Sequence, residues 1–599
     1  MHNGDRGRRF FAEETAMKQK SYIDRTRTAS LTTPFPAQGE IPLSEQPRPQ
    51  FARKNYMILN GEWDYAIRKE GEAIGQYDGK ITVPFSPESA ASGVGRVLLP
   101  GEALHYRRFL TVEKVPPHFL LHFDAVDHEA ALAVNGRAVG SHTGGYLPFS
   151  FDIAPFLVAG ENEITLTVQD PTDMGDQPRG KQTLHPGGIW YTPQSGIWQT
   201  VWAEPLPERY ISSVRITPDI DASCVHFSFP IPGVAVTVRD GAHRYFGIAE
   251  DGELTVPLRD VHPWTPDDPH LYEVSFSLGA DHVSSYFAMR KFSLMEDAQG
   301  YRRLALNGKP IFHSGVLDQG YFPETLLTPP SDEAMIHDIM TVKGLGMNML
   351  RKHIKVEPMR FYYHCDRLGM LVWQDIVSGG ADYKPAIIQV LPFIGIHRKD
   401  TGKAAYRCFQ RENEKEREAF IRFAEETVEH LYNVPSLALY TLFNEGWGQF
   451  DSCKLGTRMM ALDNTRTWDI VSGWHDQGKG SSPLKSLHVY YKRVKMPRHD
   501  DRCVVLSEFG GYSCPIDGHV FSPGKLFGYR MNKSTDELKA AVRRLYDKEV
   551  LPLVDKGLSA AVYTQLSDVE EEINGILTYD RRVNKLEGLD LSVSYPADL

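Results

Sequence analysis

At 599 residues the chain exceeds the size of one domain and predicts three or more. It is 41% hydrophobic and 24% charged, which describes a globular chain with ample core. A formal charge of −11 argues against partners that need a basic face, namely nucleic acid and anionic membrane surfaces.

The N-terminus, Met1-His2-Asn3-Gly4-Asp5-Arg6-Gly7-Arg8-Arg9, lacks the apolar segment of a secretory signal. No stretch approaches the length of a membrane span, so a cytoplasmic location is expected. Residues 1 to about 50 are charged, then rich in Pro, Ser and Thr. They read as a tail on the surface of the first domain, ordered only in part. Six cysteines (Cys224, Cys365, Cys408, Cys453, Cys503, Cys514) form no CxxC pair and match no zinc spacing. They are expected as free, buried thiols in a reducing compartment.

From 51 to 206 short strands alternate with turns. Leu120–Val126 and Ala131–Val134 flank a charged bend, and Asn135-Gly136 makes a hairpin turn. Many short strands with little helix predict a β-sandwich of jelly-roll type. From 207 to 293 the pattern repeats at smaller scale, as in Val234–Val238 and Tyr272–Leu278, and predicts an immunoglobulin-like β-sandwich.

From 294 to 599 apolar strands alternate with longer helical segments such as Glu333–Leu345, Pro358–Leu368, Glu414–Leu431 and Thr535–Leu551. The predicted strands are Ile311–Val316, Asn348–Arg351, Leu371–Gln374, Leu437–Phe443, Asp469–Ser472, Ser486–Tyr490, Val504–Ser507 and Ala560–Thr564. Eight of them in about 290 residues make one (β/α)8 TIM barrel, whose sites lie at the strand C-termini. Segment 376–412 is then a long insertion at the rim.

Two strands end on a carboxylate followed closely by glycine: Leu442-Phe443-Asn444-Glu445-Gly446 and Leu506-Ser507-Glu508-Phe509-Gly510. A lone strand-end glutamate is as well read as half of an ion pair. Two facing one mouth are the equipment for cleaving a glycosidic bond, one as acid and one as nucleophile or base. Phe443, Trp447 and Phe450 give Glu445 an apolar setting that would keep its proton. Arg351 and Tyr490 end other strands and would hold Glu508 ionised.

The chain resembles glycoside hydrolase family 2, the β-galactosidases, β-glucuronidases and β-mannosidases, over roughly residues 50–590. The resemblance rests on Asn135-Gly136-Arg137, Gly144-Gly145-Tyr146, Ser195-Gly196-Ile197-Trp198-Gln199-Thr200-Val201-Trp202, Asn348-Met349-Leu350-Arg351, Cys365-Asp366-Arg367-Leu368-Gly369 and Asn444-Glu445. It implies jelly-roll, immunoglobulin-like and barrel domains in that order, and retention of the β configuration. It implies Glu445 as acid/base and Glu508 as nucleophile. Asn444 is implied to meet the sugar 2-hydroxyl, Tyr490 to steady the nucleophile and Arg351 to sit beside it.

His488, Trp474, Asp318, Gln319 and Gln565 are further candidate substrate-binding residues at strand ends; Trp474 and His475 end strand five as pocket-lining candidates, with a packed Trp as the alternative. Asp318-Gln319 stands where β-galactosidases carry an Arg-His-Glu-like run. Asp375 lies near a position that binds magnesium in some β-galactosidases, and an ion pair or hydrogen-bond anchor is the preferred reading. No cofactor is expected, since the sequence offers no support for magnesium or sodium. Asn584-Lys585-Leu586 lacks the spacing of the β-glucuronidase carboxylate clamp. The loop Gln177-Pro178-Arg179-Gly180-Lys181-Gln182 has two readings: one that reaches the barrel mouth, where Arg179 or Lys181 would meet an anionic sugar, and a solvated loop, which is preferred.

The leading expectation is an exo-acting retaining β-glycosidase, with a β-galactoside as first choice of sugar and an oligosaccharide or glycoside as partner. β-Glucuronidase, β-mannosidase, transglycosylase and a binding protein without turnover are the alternatives, and homo-oligomer formation stays open.

Overall fold

The computed structural model describes residues 31–595 except 479, 481 and 499. The first 30 residues, to which part of the tail expectation applies, lie outside the described residues.

The first sandwich packs a four-stranded antiparallel sheet on a six-stranded one. Its core comes from the inward positions of alternating strands such as Gly160–Gln169, where Ile164, Leu166 and Val168 are buried. The second sandwich pairs three- and four-stranded sheets around Val225, Phe227, Val236 and Phe276.

The barrel strands are β1 (His313–Asp318), β2 (Met349–Lys352), β3 (Leu371–Asp375), β4 (Leu437–Asn444), β5 (Thr467–Ser472), β6 (Leu484–Val489), β7 (Cys503–Gly510) and β8 (Leu558–Thr564). They pair in parallel in the order β5-β4-β3-β2-β1-β8-β7-β6. Every residue of β3, β4 and β7 is buried, because each strand faces the barrel interior on one side and helices on the other. At the β5/β6 seam hydroxyls bridge the strands: Ser472 Oγ lies 3.2 Å from both Ser486 Oγ and Ser507 Oγ.

A short antiparallel sheet, Phe292–Glu296, Arg302–Leu306 and Lys309–Pro310, precedes β1. Its Phe292, Leu304 and Leu306 pack into the same apolar cluster as Leu317, Met349, Trp373 and Leu439, so it adds to the core of the barrel strands. Buried Arg303 anchors it to Asp297 Oδ2 at 2.7 Å and to the Leu558 carbonyl at 2.8 Å.

Three expectations change. The described tail is not confined to the first domain. Thr33 N bonds Glu324 Oε1 at 3.0 Å, and Gln50 Nε2 bonds the carbonyls of Tyr286 and Asn433. The six thiols are free, but Cys453 is exposed and Cys408 half-buried. The helix expected over 535–551 is α-helical only over Thr535–Leu545, and then widens into a π turn, Tyr546–Val550. No described helix is long and apolar enough to cross a membrane.

Candidate active site

The mouth is built from strand ends. β4 closes on Asn444, and Glu445 follows with φ +50°, a left-handed conformation that costs a non-glycine residue energy. That turn sets Glu445 Oε1 2.8 Å from His488 Nδ1. β7 carries Glu508 two residues before its end. Leu506 pairs with Leu487 and Glu508 with His488, so Ser507 is an extra residue in β7. Such a bulge re-aims the side chain beside it.

Arg351, fully buried on β2, ties four strands together. Its Nη1 donates to Glu508 Oε1 at 3.1 Å and to the Ser507 carbonyl at 3.0 Å. Its Nη2 donates to Asn444 Oδ1 at 2.8 Å, and Nε with Nη2 grips both oxygens of Asp375 at 3.0 and 3.1 Å. The Tyr490 hydroxyl donates to Glu508 Oε2, and its ring stacks on Tyr529 with centroids 4.1 Å apart. Asn444 Oδ1 accepts from Arg351, which fixes the amide's orientation, and its buried Nδ2 has no hydrogen-bond partner among the described residues.

An oxygen of Glu445, a ring nitrogen of His488 and an oxygen of Glu508 all lie within 4.8 Å of one another. Burial, then the nearby Glu508 charge, raises the Glu445 carboxyl above its ordinary value. Burial also pushes Glu508 upward. His488, Arg351, His353 and the Tyr490 hydroxyl outweigh it and hold Glu508 below the usual range. The site therefore pairs a carboxyl that holds its proton more tightly than usual with one that gives it up more readily, at short range. That combination can protonate a leaving oxygen while a carboxylate attacks or activates water.

The other candidates distribute unevenly. His488 lies between the two glutamates: Nδ1 is 2.8 Å from Glu445 Oε1, while Nε2 is 3.1 Å from Ser472 Oγ and 3.6 Å from Glu508 Oε1. Trp474 is half-buried beside it, with centroids 6.3 Å apart. His475 is buried and anchors the insertion instead, with Nε2 2.8 Å from the Ile387 carbonyl. Asp318 receives Lys352 Nζ at 2.6 Å in a buried cluster with Glu357 and Lys355. Gln319 donates to Gln565, and Gln565 to Asn574, at 2.8 and 2.9 Å.

Asp375 has both oxygens committed to Arg351, and Oδ2 lies 2.8 Å from His353 Nδ1. A magnesium ion there would face a guanidinium, so the residues present do not fit one. The Glu445–His488–Glu508 cluster has ligand-like spacing. Arg351 on Glu508 opposes a cation there too. Lys585 is fully buried, with Nζ on both oxygens of Asp568 and on the Cys514 and Ile573 carbonyls.

The loop 177–182 contradicts its sequence reading. It is not solvated: Arg179 and Lys181 are 7% and 6% exposed and sit against aromatics of the mouth. Its contact partner is the insertion. A Cβ on Gly379, whose φ is +97°, would lie 2.5 Å from the Gln177 carbonyl, so only glycine lets the two segments close. Sequence reasoning also missed His353 and Tyr529. The first was findable, since it lies two residues past Arg351, in the period of one strand face. Tyr529 lies in a long loop that carries no such signal.

Two family models match the chain: glycosyl hydrolases family 2, sugar binding domain, over residues 101–202, and the TIM barrel domain of the same family over residues 301–504. Together they cover just over half of it. The β-galactosidase of Photobacterium profundum is 28% identical over 328 residues, which are 50% of this chain and 30% of that protein. The β-glucuronidase of Streptococcus agalactiae is 24% identical over 302 residues, 46% of this chain and 49% of that protein. This chain thus spans less than half the length of these curated relatives in the matched region. Among solved structures, a Ruminococcus gnavus β-glucuronidase superposes with TM-score 0.70 at 14% identity, covering 90% of this chain and 98% of that one. A β-galacturonidase from Eisenbergiella tayi bound to galacturonate gives TM-score 0.64 at 18% identity, covering 90% and 96%. At these identities the likeness is one of fold.

Proposed function

The chain belongs to glycoside hydrolase family 2, and from that membership we propose that it is an exo-acting β-glycosidase that retains anomeric configuration. The observation that carries this reading is the approach of Glu445 and Glu508 to within 4.8 Å with opposite protonation preferences. Retaining enzymes hold their carboxyls about 5–5.5 Å apart, whereas inverting ones need about 6.5–9.5 Å to seat a water.

In the proposed double displacement Glu508 attacks the anomeric carbon while Glu445 protonates the departing oxygen. Glu445 then takes a proton from water, the water attacks the same carbon, and Glu508 leaves. Arg351 and Tyr490 hold Glu508 ionised and aimed. Asn444 Nδ2 donates to the sugar 2-hydroxyl, because its Oδ1 is already taken. A sugar acceptor in place of water would make the same steps a transglycosylation. A binding protein without turnover has no use for two adjacent glutamates whose proton affinities are driven apart.

The names of the curated relatives put a β-galactoside first and a β-glucuronide second. Lys585 offers no free ammonium for a uronate, which weakens recognition by that element. Free thiols accord with a cytoplasmic location.

The test is a panel of p-nitrophenyl β-glycosides (galactoside, glucuronide, mannoside, glucoside, arabinoside, fucoside) on wild type and Glu508→Gln. Turnover lost in the variant, with a 2-fluoro glycoside trapped on Glu508 in the wild type, is the expected result. Unchanged activity in Glu508→Gln would sink the mechanism.

A further inference from the structure

Among the described residues, buried cations around the barrel mouth are paired, with two exceptions. Lys352 sits on Asp318 and Glu357, Lys355 on Glu357 and two carbonyls, and Arg411 on three carbonyls. Pairing of this kind is what the cost of burying a charge demands. Arg179 and Lys181 break the rule. Neither has a carboxylate within 4 Å or a side-chain hydrogen bond among the described residues, and Arg179 Nε is buried without a partner.

Their surroundings are aromatic. The Arg179 guanidinium lies 5.5 Å from the Tyr383 ring centre, and the Lys181 ammonium 5.4 and 5.9 Å from those of Tyr191 and Trp447. Trp190, Tyr383 and Trp447 cluster with centroids 5.5–6.0 Å apart. Cation–π contact offsets only part of the desolvation cost. The loop is held in place, since a Cβ on Gly180 would lie 3.2 Å from the Ile354 carbonyl just beyond β2. Lys181 borders the reaction centre directly, and Arg179 joins it through Tyr383, which stacks on Trp447. Trp447 is two residues past Glu445, its ring lies 5.8 Å from that of His353, and Lys181 acts electrostatically on both Glu445 and His353.

We propose that Arg179 and Lys181 form an anion subsite that takes a carboxylate or sulfate group on the sugar seated between Glu445 and Glu508. This rests on the glycosidase reading and narrows its substrate class to acidic β-glycosides. An arginine fork and a lysine point charge suit such an oxyanion, and the aromatic walls exclude the water that would screen them. It is a different element from Lys585, which is spent on Asp568.

The experiment measures kcat/KM of the full chain on matched p-nitrophenyl pairs: β-galactoside against β-galacturonide, β-glucoside against β-glucuronide, and β-galactoside against its 6-sulfate. Wild type is expected to favour the acidic member of at least one pair. Lys181→Met and Arg179→Met should each lower that acid-to-neutral ratio by roughly 10- to 100-fold, the worth of a charge-assisted hydrogen bond. Arg179→Lys should recover part of it. The uronide and sulfate arms separate the two oxyanions. A ratio that favours neutral sugars, or one that the variants leave unmoved, overturns the subsite while leaving the glycosidase reading intact. Calorimetric titration of galacturonate, glucuronate and galactose 6-sulfate against galactose gives a readout without turnover. Acid binding lost in Lys181→Met supports the subsite even if no glycoside is cleaved, an outcome that would instead sink the glycosidase reading. Equal binding of acid and neutral sugars sinks the subsite.

Discussion

Glu445 and Glu508 begin with the same intrinsic affinity for a proton and are driven apart by their neighbours. Burial and a like charge keep the proton on Glu445, while Arg351, His353, His488 and the Tyr490 hydroxyl keep it off Glu508. If this pair carries the proposed reaction, kcat/KM should trace a bell against pH. The acid limb reports deprotonation of Glu508, whose depressed value moves that limb to low pH. The alkaline limb reports loss of the Glu445 proton, whose raised value extends activity upward. Glu445→Gln should abolish the alkaline limb and slow poor leaving groups by roughly 10²- to 10⁴-fold, with a smaller loss for a dinitrophenyl leaving group. A variant that keeps both limbs would assign the proton elsewhere. At this scale the two glutamates, Asn444 and Arg351 were legible because a strand end in a barrel points its side chain to one known place. Tyr529 was not, because its contact with the site depends on the path of a long loop, and His353, although it shares the strand face of Arg351, was passed over.

Elements show the same division. The eight strands and four of the longer helices announce themselves by apolar runs and helical period, but their ends are set by hydrogen bonds that no period encodes. The helix Asp332–Gly344 begins where Ser331 accepts from the Ala334 amide at 3.3 Å, with Asp332 and Glu333 in its first turn. Ser331→Ala should cost about 1 kcal/mol, read as a lower thermal midpoint, with kcat/KM unchanged because the cap makes no contact with the mouth. An unaltered midpoint would show that neighbours or water replace the cap. The bulge at Ser507 carries no sequence signal. It exists because β7 pairs with β6 on one edge and β8 on the other, and the register breaks on both sides near Glu508.

Across the whole molecule, the junction of the two sandwiches turns on one residue. Buried Arg53 grips Glu204 of the first, with both distances 3.1 Å, and Asp281 of the second at 2.7 and 2.9 Å. Burial pushes both carboxyls up, yet His122 and Arg53 on Glu204, and Arg53 with the Ile211 amide on Asp281, bring both below their usual range. A depressed carboxyl contributes stability that is present above its unfolded value and lost as pH falls through its folded value. Arg53→Met should therefore cost about 3–5 kcal/mol near neutral pH, since it strands two buried charges, and the deficit should shrink in acid as they take protons. Equal deficits at pH 7 and pH 4, read by chemical denaturation, would refute the charge argument. The barrel leans on the first sandwich in a similar way. Gln199 donates to the Val356 carbonyl at 3.1 Å, and Thr328 donates to the Trp198 carbonyl at 2.6 Å. The run Ser195–Trp202, readable as a family signature, is thus also part of the interface.

The sequence by itself determined the fold class, the family and the strand ends that bear Glu445 and Glu508, because hydrophobic period and strand-end position are local properties of a chain. Only the tertiary structure decided that Asp375 is spent on Arg351 and His353, that Lys585 is locked to Asp568, and that Arg179 and Lys181 are buried at the mouth rather than solvated. Whether a charged side chain is paired depends on what comes within 4 Å of it from segments up to hundreds of residues away, and no window along the chain contains that distance.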